Sequence, residues 1–256
     1  MVSLAGTGQP TIIPFLASSR LWRPGRSEAW WWFGLPLIVA ALLLAIHGVA
    51  PDFYRDYVLP EGYGILELSH FFMPLAGFFV CLAMLRRPTV RAGGPLRWAI
   101  VLFAIVCLYV AGEEMSWGQH FVHWQTPEYW AHLNRQDETN LHNISPWFNQ
   151  RPRLVFEIAL LVGGIIVPLV QLVTGPYRQP LLALLTPPVE LVPTALMAAL
   201  FKVIDHLNKN AIVEGLPARP SEAIETFEYL FILFYLIVLY RRVRALDEAS
   251  AGRVGL

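Results

Sequence analysis

Six apolar runs, approximately 31–50, 63–85, 96–115, 154–174, 181–204 and 222–240, leave this chain few ways to fold. A helix needs roughly 20 apolar residues to cross about 30 Å of hydrocarbon, and each run comes close to that length. Lipid offers no hydrogen bonds to the backbone, so runs of this kind satisfy their own N–H and C=O groups as helices. The sequence therefore predicts an all-α, polytopic membrane bundle of about six transmembrane helices. Of the 256 residues 55% are hydrophobic and only 15% charged, against about 25% charged in soluble proteins.

Nineteen basic residues balance nineteen acidic ones, so nucleic acid is not an expected partner and the informative charge signal is positional. Twelve Lys and Arg fall in the N-terminal segment, the loops after spans two and four, and the tail, and seven on the opposite side. The positive-inside rule then places both termini in the cytoplasm of a cell inner membrane, with the 116–153 connection outside. Trp30, Trp31 and Trp32 before span one, and Trp117, Trp124, Trp130 and Trp147 in the connection, suit interfacial anchors, so this outer loop is expected to lie on the membrane. Arginines 20, 23 and 26 precede a run too long for a signal peptide and without an Ala-x-Ala site, which reads as a retained span. The expected organisation is a loosely ordered arm over 1–25, a single helical domain over 26–244 and a cytoplasmic tail over 245–256. Membrane lipids are the expected partners, and homo- or hetero-oligomers remain open. Cys81 and Cys107 lie inside apolar runs, as buried thiols do. Pro187, Pro188 and Pro193 predict that span five is kinked or broken.

Once orientation is assigned, the ionisable residues of the spans fall at one depth. His47 ends span one; Glu67 and His70 open span two; Glu113 and Glu114 end span three; Glu157 opens span four; Asp205 and His206 end span five; Glu222, Glu225 and Glu228 open span six. Only Glu190 lies deeper. Ionised groups in hydrocarbon cost a few kcal/mol, so they normally pair, face a bundle interior or serve a site. Glu67 and His70 in "ELSH" share a helix face in the Glu-x-x-His spacing that supplies metal ligands in bundles, or form a buried hydrogen-bonded pair. Glu222, Glu225 and Glu228 follow one stripe, where a cation or shared protons would relieve their repulsion. Glu222 also suits a first-turn acid behind a capping Ser221. Glu113 and Glu114 point about 100° apart, so one is expected to enter the pocket and the other to meet water or a basic residue. Gly118 permits a turn that folds His120 back over the site.

In the connection, Glu128 and His132, and Glu138 and His142, are four apart and would share a face in short helices starting near Pro127 and ending before Pro146. "GEEMSWGQ", "TPE" and "ETNLHN" together resemble a group of bacterial multi-span membrane proteins of unassigned biochemistry that carry Gly-Glu-Glu-x-Ser-Trp-Gly-Gln and Glu-Thr-Asn-Leu-His-Asn. The resemblance covers residues 112 to 143 and implies that Glu113, Glu114, Ser116, Trp117, Gln119 and 138–143 form one unit. In layout alone the chain is similar to membrane hydrolases of the alkaline ceramidase and adiponectin-receptor class, whose histidine-bound zinc activates water. Here the last span carries Glu225 and Glu228 in place of their histidine pair.

The reading that follows is a metal-dependent hydrolase of a lipid or lipid-linked substrate, with His70, His142, His206 and Glu228 as metal ligands. Glu67, Glu114 or Glu113 would act as general base, and Ser116, Gln119 and Asn140 would orient substrate. Zinc is the expected metal and iron the less favoured one, because a di-iron oxidoreductase would need a second Glu-x-x-His. A non-enzymatic transport, binding or assembly subunit is the alternative, with Glu190 beside the prolines as its coupling residue.

Overall fold

A computed structural model of the chain describes residues 26–134, 136–141 and 143–254, so the expected arm over 1–25 and His142 lie outside the described residues. Six helices are long and apolar enough to cross a membrane: Trp30–Val49, Ile65–Leu85, Pro95–Glu114, Gln150–Thr174, Pro180–Lys209 and Pro220–Ala251. Among the described residues there is no strand, and the protein is an all-α membrane bundle.

Span six organises the others. Its most apolar window is 61% buried, against 17–39% for the other five. Span two packs between spans three and six, span five lies along span six, and span one lies against span five. Close approach is set by small residues, as bilayer packing requires. A Cβ on Gly77 would stand 3.0 Å from Leu236 and 3.2 Å from the Cys107 sulfur, and one on Gly164 would stand 3.0 Å from Phe231. The apolar core falls into two clusters along span six. One gathers Tyr54, Leu66, Phe201, Ile224 and Phe227. The other gathers Cys81, Met84, Ile100, Cys107, Leu236 and Val243.

The last helix continues to Val254 and so runs through most of the expected tail. Its extension is anchored by Asp247, which accepts from Arg87 Nε at 2.7 Å, from the Thr89 amide at 2.9 Å and from the Thr89 hydroxyl at 2.6 Å. These bonds join the turn between spans two and three to the last helix. Span four contains a π-helical segment, Leu160–Ile166, around its glycine pair.

Span five is broken, as its prolines predict. Pro180–Leu185 is one helix and Val192–Lys209 another, with a 3-10 turn at Val189–Leu191 between them. Pro187 and Pro188 lack the N–H groups that would cap the preceding turn. Span six supplies donors instead: Arg242 Nη1 bonds Leu184 O at 2.8 Å and Thr186 O at 2.6 Å, and the Tyr235 hydroxyl bonds Leu185 O at 2.7 Å. Arg242 is therefore buried as a plug for the broken helix, with Glu190 as a nearby opposite charge. Arg242→Met should cost about 2–4 kcal/mol by leaving two buried carbonyls unmet. The loss is measurable as a lower unfolding midpoint in detergent; an unchanged midpoint would show the plug to be dispensable.

Candidate metal site at the loop end of the bundle

His70 is fully buried between spans two, three and six. Its Nε2 lies 2.9 Å from Thr226 Oγ1 and 3.1 Å from the Glu222 carbonyl oxygen. The Thr226 hydroxyl already donates to that same carbonyl at 2.8 Å, so both groups facing Nε2 act as acceptors. Nε2 therefore carries the ring proton and Nδ1 presents a lone pair. Nδ1 is buried without a hydrogen bond and faces Glu114 Oε2 at 3.7 Å.

A lone pair opposite a carboxylate is repulsive unless a cation or a proton lies between them. More acids surround this gap. Ligand atoms of Glu67, His70 and Glu114 lie within 4.8 Å of one another, and so do those of His70, Glu222 and Glu225. The basic side chains at this level are drawn outward. Arg219 bridges Glu61 at 2.8 Å and Glu222 at 2.9 Å. Arg153 bridges Glu157 at 3.2 Å and Glu225 at 2.9 Å, and Lys202 adds to Glu157 at 2.6 Å. Among the described residues, these two arginines and one lysine are fewer than the acids at this level. Tyr229 completes the cluster, donating to Glu114 Oε1 at 2.7 Å while its ring meets the His70 ring edge-on at 5.4 Å.

Glu113, one residue away, does different work. It is buried and accepts from the Trp117 indole at 2.8 Å and from the Leu141 amide at 2.7 Å. Glu114 thus enters the helix cluster, as expected of one acid of the pair, while Glu113 is turned into the loop rather than to water. Between them the chain reverses through Ser116, Trp117 and Gly118 at φ 45°, 56° and 105°. Gly118 affords this turn without a Cβ penalty. A Cβ on Gly112 would stand 2.8 Å from the Trp117 ring, which explains a glycine before the acids.

The turn folds His120 back onto Ser116 and Glu138. Its Nε2 lies 3.1 Å from Ser116 Oγ and 3.1 Å from Glu138 Oε1. Ser116 donates to Glu138 Oε2 at 2.9 Å, and Asn140 Nδ2 donates to Ser116 Oγ at 3.0 Å and to Glu138 Oε2 at 2.6 Å. Gln119 Oε1 accepts from the Thr139 amide at 2.8 Å and its hydroxyl at 3.0 Å. Ser116, Gln119 and Asn140 are therefore bonded to one another's neighbours in a latch that closes residues 137–141 onto the end of span three. Burial alone would raise the Glu138 carboxyl, but hydrogen bonds from His120 and then Ser116 outweigh it and hold Glu138 below its ordinary value.

Other predicted positions separate from the cluster. His206 is exposed and its ring lies 3.4 Å from Asn210, so it is no part of the His70 groups; Asp205 beside it pairs with Lys209 at 2.7 Å. Glu228 is buried near Arg153 and Glu157 and belongs to neither group. Glu128 and His132 face each other at 3.9 Å on the surface, while 136–141 is not helical. The sequence reading missed Thr226 and Tyr229, although Glu222, Thr226 and Tyr229 recur at the four- and three-residue spacing of one helix face. Comparison with protein-family models, with curated proteins and with solved structures finds no match for this chain, so the geometry carries the functional reading.

Glu138 is depressed in the folded state, so its contribution is present above the ordinary carboxylate value near 4.5 and is lost as pH falls through the lower folded value. Deuterium exchange over 136–141 should rise in that acidic window, and Glu138→Gln should remove the step. A step of equal size in Glu138→Gln would assign it to another group.

Proposed function

We propose that the cluster around His70 binds a divalent cation and that the protein is a metal-dependent membrane hydrolase acting on a lipid or lipid-linked substrate. The buried, unpartnered Nδ1 lone pair of His70 among Glu67 and Glu114 supports this reading most directly. A cation there would satisfy Nδ1 and offset the crowded carboxylates at once.

Each of the two groups that share His70 offers two carboxylates and one imidazole, an oxygen-rich donor set that suits manganese or iron(II) better than the histidine-rich zinc set expected from sequence. The bound ion would lower the pKa of a coordinated water. Glu67, Glu114 and Glu225 would divide the roles of ligand and proton acceptor, and Tyr229 would orient Glu114 through its 2.7 Å hydrogen bond. The cluster sits at the loop end of the spans, where a lipid headgroup would meet the bundle.

A coupling role for Glu190 has less support. Glu190 neighbours Arg242, twenty residues along the helix from Glu222, or about 30 Å away.

Metal analysis of detergent-purified protein should find about one divalent ion per chain. His70→Ala should weaken its binding on the order of 100-fold and abolish hydrolysis, and Glu67→Gln should weaken both. Absence of stoichiometric metal in folded wild-type protein would end the metal-dependent reading.

A further inference from the structure

Span five ends in a polar feature that the metal cluster does not use. Lys202, His206 and Lys209 are spaced four and three apart on one helix face, and with Val203 and Asp205 they line a surface cavity of about 460 Å³. The lysine side chains are 50% and 70% exposed. Asp205, the one acid in the lining, is buried and held by Lys209. An ammonium carries three donors, so a single bond to Glu157 or Asp205 leaves each lysine able to donate outward. His206 adds an imidazole donor in either neutral tautomer.

Toward the membrane interior a neighbouring face of the same helix, which meets the cavity at Val203, is apolar. Leu196, Leu200 and Val203 are exposed at the four- and three-residue spacing that leads up to His206. A basic, donor-rich pocket that borders an apolar stripe at Val203 complements a molecule with an anionic head and hydrocarbon tails. The pocket also connects to the cluster: Lys202 bonds Glu157, Glu157 is shared with Arg153, and Arg153 reaches Glu225.

We infer that Lys202, His206 and Lys209 hold the phosphate of a phosphate-bearing lipid whose tails lie along Leu196, Leu200 and Val203. This names the substrate class of the proposed hydrolase and rests on that reading. Charge-assisted bonds to phosphate distinguish such a lipid from a neutral one, which the apolar stripe alone would accept.

The test is binding of dioctanoyl phosphatidic acid, dioctanoylglycerol and inorganic phosphate to the full chain in neutral detergent, with metal content measured on the same samples. Phosphatidic acid should bind at least about tenfold tighter than either control. The double variant Lys202→Gln, Lys209→Gln should lose that advantage with metal content unchanged, and Lys202→Arg, Lys209→Arg should keep it. Equal binding of the two lipids, inorganic phosphate binding as tightly as the lipid, or an unaffected Gln variant would each overturn the inference. Phosphate-dependent lipid binding by a chain that holds no metal would support the pocket and remove only the hydrolase reading.

Discussion

The hydrogen bonds from His70 Nε2 to Thr226 and to the Glu222 carbonyl fix the rest of the polar centre. They join span two to the most buried helix of the bundle and choose the imidazole tautomer together. With the proton committed to span six, Nδ1 is turned among the described residues toward the Glu114 carboxylate. The same helix also plugs the break in span five through Arg242 and anchors the turn between spans two and three through Asp247. One long helix thus carries the site at one end and the stabilising polar contacts at the other.

The adjacent acids of span three couple this centre to the loop. Glu114 turns to His70 and Tyr229, while Glu113 turns to Trp117 and the Leu141 amide. Their separation by about 100° on the helix is what lets neighbouring residues serve two structures. Opening the latch of Ser116, His120, Glu138 and Asn140 would disturb Glu113 first and Glu114 only through a single peptide unit.

Much of this was legible before the structure. Apolar length located the six spans, and the prolines located the break in span five, because both rest on local backbone chemistry. The alignment of acids at one depth followed from counting positions along helices, and Glu67, His70 and Glu114 do come together. His206 illustrates the limit: depth does not determine azimuth, and the rotation of span five turns it to the surface beside Lys202 and Lys209. Ser116, Gln119 and Asn140 were expected to meet substrate because they are polar and close to the acids. Their loop conformation, with three successive positive φ values, makes them partners of one another instead. Thr226 and Tyr229 escaped notice because neither titrates near neutrality, although their spacing on span six marked the right face.

Electron spin-echo envelope modulation on protein loaded with Mn²⁺ tests the central claim most directly, because it reports nitrogen bound to the ion. Modulation from an imidazole nitrogen that disappears in His70→Gln is the predicted result. Bound Mn²⁺ without nitrogen modulation, or modulation unchanged in His70→Gln, would contradict the assignment of His70 Nδ1 as a ligand.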